Sequence, residues 1–249
     1  MTREGRNVDA GSVLFAHVAQ RPDDEIDLGA AALLVAEAEY PNLDVGHYLG
    51  MLDGMAEAVK KRVGPPGPGA LLGALTHYLF DELGFRGNEE DYYDPKNSFL
   101  NEVLDRRVGI PITLSIVFLE VGWRLGLALQ GVSFPGHFLV RLEVEGQEQM
   151  LDPYHAGVAL GSEELEERLK QAMGQSAELA AEHVQGASKR QVLTRMLNNL
   201  RGIYQRLGDG ERELAVLEKL GILNPKDERV AEALEALRKR ATGGGGGLN

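Results

Sequence analysis

Apolar residues recur at helical spacing through the first third of the chain. In "LDVGHYLGMLDGMAEAVKKRVG", Val45, Leu49, Leu52, Met55 and Val59 fall on one face, which predicts an amphipathic helix. Lys60, Lys61 and Arg62 close its last turn, where cations complement the helix dipole. Before it, "DLGAAALLVAEAEYP" predicts a helix capped by Asp27 and stopped at Pro41. After it, the break "GPPGPG" (64–69) leads into the amphipathic run "ALLGALTHYLFDELGF". Residues 1–85 therefore read as a helical region. A polar loop, "RGNEEDYYDPKNSF", and a short helix, "SFLNEVLDRR", come next.

Gly109-Ile110-Pro111 then opens the most apolar helix in the chain, "PITLSIVFLEVGWRLG". Pro111 suits a first helical turn and Gly126 a C-terminal stop. Leu114, Val117, Phe118, Val121 and Leu125 form one stripe; Ile112, Ile116 and Leu119 form a second. A helix apolar nearly all round belongs in the centre of a fold.

The period then changes to two. "LALQGVSF" is a strand candidate. In "GHFLVRLEV", Phe138, Val140, Leu142 and Val144 alternate with His137, Leu139, Arg141 and Glu143; "QEQMLDP" is the returning strand. A turn on Glu145-Gly146 would pair Val144 with Gln147, so Leu139 would face Asp152. His137 and Asp152 would then be diagonal neighbours on one face, about 7–8 Å apart. A loop longer or shorter by one residue would separate them. The acidic run "SEELEERLK" (162–170) reads as a solvated helix face. From about 187 the pattern is helix, turn, helix, Asn-Pro turn, helix, ending in a flexible tail, "TGGGGGLN".

The blocks "YPNLDV", "NSFLNEVLDRRVGIPITLSIVFLEVGWRLGL", "GVSFPGHFLV" and "LDPY" resemble the SirB1 family, a transglutaminase-like group with tetratricopeptide-like helices after the main domain. The resemblance spans roughly 30–240. It implies an α+β fold of papain-like descent, with a central helix on an antiparallel sheet. The expected regions are N-terminal helices (1–85), a transglutaminase-like core (86–186), tetratricopeptide-like helices (187–241) and a Gly-rich tail (242–249). Leu200, Tyr204, Gly208 and Pro225 match that repeat's spacings, whereas Glu213 stands where the repeat has a small residue. At most one and a half repeats are present, too few to bury their own face, so they should dock on the main domain. The resemblance also implies a catalytic constellation: a cysteine at the start of the central helix, with a histidine and an aspartate on adjacent strands. Here these become His137 and Asp152, and the nucleophile position falls at 111–115.

Composition changes that picture sharply, because none of the 249 residues is cysteine. No thiolate nucleophile, thiolate metal site or disulfide can form. Thr113 and Ser115 are the candidate surrogate nucleophiles; the plainer alternative is that both bond to backbone near the helix start. His137 is either an inert fold residue tied to Asp152 or the remnant base of a site that now binds. Asp152 before Pro153 also suits a simple turn, and His155 reads as a surface loop residue. Pro111, Asn97, Arg141 and Tyr154 are candidate binding residues.

The net charge of −12 and the absence of a basic stripe disfavour nucleic acid. No apolar run reaches the ~20 residues of a membrane span, and "GSVLFAHVA" is a poor signal-peptide core; a cytoplasmic protein is expected. There is no HExxH, Walker A or GxSxG pattern. Trp123 and Tyr204 read as core residues. A metal built from His137, Asp152 and His155 has no supporting ligand spacing, so no cofactor and no metal are expected. The leading expectation is a non-catalytic protein that binds a peptide or protein partner. The competing one is an amide hydrolase or acyl transferase using a Ser/Thr nucleophile or a His-activated water.

Overall fold

In a computed structural model, which describes residues 10–63, 67–144 and 146–243, the helical and strand periods fall where the sequence places them. Four helices come first: α1 (Ala10–Ala19), α2 (Leu28–Val35), α3 (Val45–Arg62) and α4 (Pro68–Thr76), the last continuing through a π-helical turn, His77–Glu82. Asp27 caps α2 by accepting from the Ala30 N–H at 2.9 Å, and Asp44 caps α3 through the His47 N–H at 3.0 Å. Part of the expected break at 64–69, and the tail beyond 243, lie outside the described residues.

A short strand, β1 (Arg86–Gly87), precedes α5 (Leu100–Arg106) and runs parallel to β2 (Val108–Gly109). These two-residue strands carry no periodicity and are not foreseen from the pattern. β2 feeds directly into the central helix α6 (Pro111–Arg124), which is buried on every side from Pro111 to Gly122. Pro111 occupies its first turn, and Gly126 just beyond its end takes φ +82°.

The sheet follows: β3 (Gln130–Val132), β4 (Leu139–Val144), β5 (Gln147–Asp152) and β6 (Val158–Leu160). Then comes α7 (Ser162–Met173), and a short β7 (Gly186–Ala187) completes the sheet in the order β6-β5-β4-β3-β7, antiparallel throughout. The β4–β5 register pairs Val144 with Gln147 and Val140 with Leu151, as the expected turn requires; Gly146 takes φ +76°. The fold is thus α+β, with a central helix against an antiparallel sheet.

The two faces of the hairpin pack differently. Phe138, Val140, Leu142, Val144 and Leu151 join the main core with α6, whereas Leu139 and Met150 pack with Leu165 and Leu169 of α7. His137 and Asp152 have the parity of the second set. The run expected as a solvated face is α7: its glutamates are exposed, while Leu165 and Leu169 cover the sheet.

Three helices end the chain: α8 (Lys189–Leu207), α9 (Gly210–Leu223) and α10 (Glu228–Gly243). Met196, Leu197, Leu200, Tyr204, Leu217 and Leu220 belong to the same core as the N-terminal helices and α6. The junction is also polar. The N–H groups of Lys189 and Arg190, at the start of α8, donate to the Asp23 carboxylate at 3.1 and 2.9 Å. Among the described residues, no helix is long and apolar enough to cross a membrane.

Candidate functional site

The site is built on the end of β5. Asp152 terminates the strand, and its carboxylate turns the chain into a 3-10 turn (Pro153–His155) by accepting from the N–H groups of Tyr154 at 3.1 Å and His155 at 3.4 Å. The turn role expected of an Asp before Pro is therefore present, but it is the smaller part of what this carboxylate does. His137, at the head of β4, places Nε2 2.8 Å from Asp152 Oδ1. His155 places Nδ1 2.7 Å from Oδ2, and Arg168 reaches in from α7 to the same oxygen at 2.7 Å.

The Asp152 side chain is wholly buried (0%), that of His137 nearly so (14%), and that of His155 about half exposed (45%). Burial opposes ionisation of Asp152, but the hydrogen bonds and charges of His137 and His155 outweigh it and hold the carboxyl at about 2. The carboxylate is thus ionised throughout the neutral range. It fixes the His137 ring through Nε2, and among the described residues Nδ1 has no hydrogen-bond partner.

The expected surrogate nucleophiles are placed otherwise. Thr113 and Ser115 are both fully buried. The Thr113 hydroxyl lies 2.8 Å from the Asn97 carbonyl and 3.2 Å from the Ile110 carbonyl, and accepts from the Ile110 N–H at 3.1 Å. Ser115 donates to the Phe138 carbonyl at 3.5 Å. Neither hydroxyl bonds to His137: the first turns of α6 use them to satisfy backbone.

Tyr154 stands beside the pair. Its ring meets the His137 ring edge-on, with centroids 5.9 Å apart, and lies so close to Gly87 that a Cβ there would overlap it. Gly87 pairs with Gly109, two residues before α6 begins. The tyrosine ring therefore touches both the His137 imidazole and the ladder that leads into the central helix. Its pKa is raised by burial and by the carboxylates of Glu89 and Asp152, which disfavour a phenolate there.

The aromatic contacts continue outward. Tyr92 meets Tyr154 at 6.4 Å and Tyr93 at 5.3 Å, and both Tyr92 (37%) and Tyr93 (49%) are exposed. Arg206 of α8 lies over the Tyr93 ring, 4.2 Å from its centroid, so the C-terminal helices reach the same rim.

Other expected binding residues lie elsewhere. Asn97 is fully buried, and its side chain ties the 88–97 loop by donating to the Asp91 carbonyl at 2.8 Å and accepting from Asn88 at 3.1 Å. Pro111 is buried in the first turn of α6. Arg141 is occupied on the sheet by Gln130 and Glu148. Of the four, Tyr154 makes a ring contact with His137. Trp123, expected in the core, is only half-buried and donates its indole N–H to the Leu129 carbonyl at 2.9 Å; Tyr204 is buried. Sequence reasoning passed over His155 as a Asp152 partner and missed Arg168; the i,i+3 spacing of Asp152 and His155 is a local signal, whereas Arg168 has none.

The comparisons agree with this architecture. The family model of the transglutaminase-like superfamily matches residues 46–198. A UPF0162 protein of Xylella fastidiosa strain Temecula1 is 38% identical over 231 residues, covering 91% of this chain and 80% of that protein. A UPF0162 protein of Vibrio cholerae is 34% identical over 134 residues, 53% of this chain and 49% of that protein. F-box only protein 21 of Mus musculus is 35% identical over 142 residues, 55% of this chain but 22% of that protein. No solved structure matches the chain. With its central helix, antiparallel sheet and His–Asp pair, the chain belongs to the transglutaminase-like superfamily and, within it, to the family of UPF0162 proteins.

Proposed function

We propose that this is a non-catalytic transglutaminase-like protein that binds a peptide or protein partner, in a regulatory role, at the rim formed by His137, Tyr154, Tyr92 and Tyr93. The observation that carries the reading is the fate of the nucleophile stretch. The chain has no cysteine, and the hydroxyls of Thr113 and Ser115 are buried and given to backbone carbonyls. A hydroxyl needs a base within hydrogen-bond reach to become a nucleophile. Exposed tyrosines, by contrast, suit recognition, because they offer large rigid contact area with a polar tip. The tetratricopeptide-like reading of α8–α10 supports the same conclusion, as does the contact of Arg206 with Tyr93. The relative F-box only protein 21 carries the matching stretch inside a much longer chain, which suits an interaction module.

One observation favours a second reading. The open Nδ1 of His137, backed by Asp152, is arranged to take a proton from water, as an amide hydrolase would require.

The two separate in one experiment. Wild type, His137→Ala and a Tyr92→Ala/Tyr93→Ala variant are assayed for hydrolysis of peptide amides, for amine transfer to glutamine peptides, and for capture of members of a peptide library. The binding reading expects no turnover by wild type and capture lost in the double tyrosine variant. Turnover by wild type that disappears in His137→Ala would overturn it.

A further inference from the structure

His137, Asp152 and His155 converge from three places, the head of β4, the end of β5 and the turn after it, and offer two imidazole nitrogens and a carboxylate oxygen all within 4.8 Å of one another. We propose that these three residues form a binding site for a divalent zinc ion, a reading that shares His137 with the peptide-binding one but does not rest on it.

Donor chemistry is the first argument. Two imidazoles and one carboxylate are a donor set that zinc takes, and three protein ligands leave a fourth position open. His155, half exposed, borders the cluster on the solvent side, and the Tyr154 ring lies edge-on to it, so solvent would have access to that position. Geometry is the second. Both histidines already aim at the same carboxylate, at 2.8 and 2.7 Å, and their rings stack with centroids 5.8 Å apart. Zinc bonds of ~2.1 Å in a tetrahedral site bring ligand atoms to roughly 3.4 Å from one another. Reaching it requires the 2.7–2.8 Å nitrogen–oxygen pairs to open and the widest separation, at most 4.8 Å, to close, which rotation of the two rings supplies. The third argument is anchoring. Asp152 is buried and pinned by two backbone N–H groups, so one ligand is held rigidly before the ion arrives.

The ion would replace the two N–H groups now facing Asp152. Each neutral imidazole then carries its proton on the other ring nitrogen, Nδ1 of His137 and Nε2 of His155, for which no protein partner exists among the described residues. Arg168 is the opposing feature, since its guanidinium holds Oδ2 at 2.7 Å. It lies on the surface helix α7 with its side chain partly exposed, so it has room to withdraw.

The test titrates Zn2+ into metal-free full-length protein by calorimetry, with circular dichroism as a check on folding. One ion per chain is expected. His155→Ala removes a half-exposed side chain while His137 and Arg168 still pair with Asp152, and should weaken binding by at least about tenfold, as should His137→Ala. His77→Ala, which alters an exposed histidine beside Asp81 in the N-terminal region, should bind as wild type does. Wild type that takes up no Zn2+, or a folded His155→Ala that binds it equally well, would overturn the proposal. Peptide capture measured in a chelator keeps this result separate from that of the binding reading.

Discussion

Asp152→Asn is the perturbation that bears most directly on the site. The carboxylate is wholly buried and serves His137, His155 and Arg168 at once. An amide cannot match the charge of Arg168 or accept equally well from both histidines, and losing those charge-assisted hydrogen bonds costs about 2 kcal/mol, because Arg168 is partly exposed and can turn to solvent. Part of this loss can be read through pH. Burial pushes the Asp152 carboxyl up, the two histidines pull it further down, and it settles at about 2 instead of 3.8. A depressed carboxyl contributes stability above its unfolded value and loses it as the pH falls through the folded one. The contribution is on the order of 2 kcal/mol at neutral pH, and about half of it remains at pH 3. Urea unfolding of wild type and Asp152→Asn, followed by circular dichroism at pH 6 and pH 3, isolates the effect, because the other carboxylates are common to both. The gap between the two proteins should narrow by about 1 kcal/mol in acid. A gap below about 0.5 kcal/mol at pH 6, or one that does not change with pH, would refute the electrostatic account of the site.

Further outcomes follow from the packing. Thr113→Val should cost about 1–3 kcal/mol, because the Ile110 N–H loses its acceptor and the Asn97 carbonyl its donor. Ser115→Ala, with a single 3.5 Å contact, should stay within about 1 kcal/mol of wild type; comparable losses in both would show that the two hydroxyls are not used differently. Leu197→Ala on α8 should cost about 2–5 kcal/mol. It should also shift the fluorescence transition of Trp123, the single tryptophan, together with the circular-dichroism transition, because α8 and α6 share one core. Separate transitions would mean that the C-terminal helices unfold on their own.

Much of the fold is legible in local pattern. An apolar run on all faces, opened by Pro111 and closed before Gly126, marks the central helix, since no other environment takes such a surface out of water. The hairpin register follows from one short turn that sets Val144 opposite Gln147, and a one-residue slip would carry Leu151 off the face that Phe138, Val140 and Leu142 bury. That register also brings His137 to Asp152. What the sequence by itself determined, then, is the order of the main helices, the central helix, the hairpin and the existence of a His–Asp pair. The tertiary structure alone decided the rest: that α7 supplies Arg168, that Tyr154 seats on Gly87, that Thr113 and Ser115 turn inward, and that Asp23 ties the start of α8 some 166 residues away. The physical reason is range. Periodicity, caps and turns are written in neighbouring residues, whereas a buried carboxylate's partners and a hydroxyl's choice of carbonyl depend on which distant surfaces pack together.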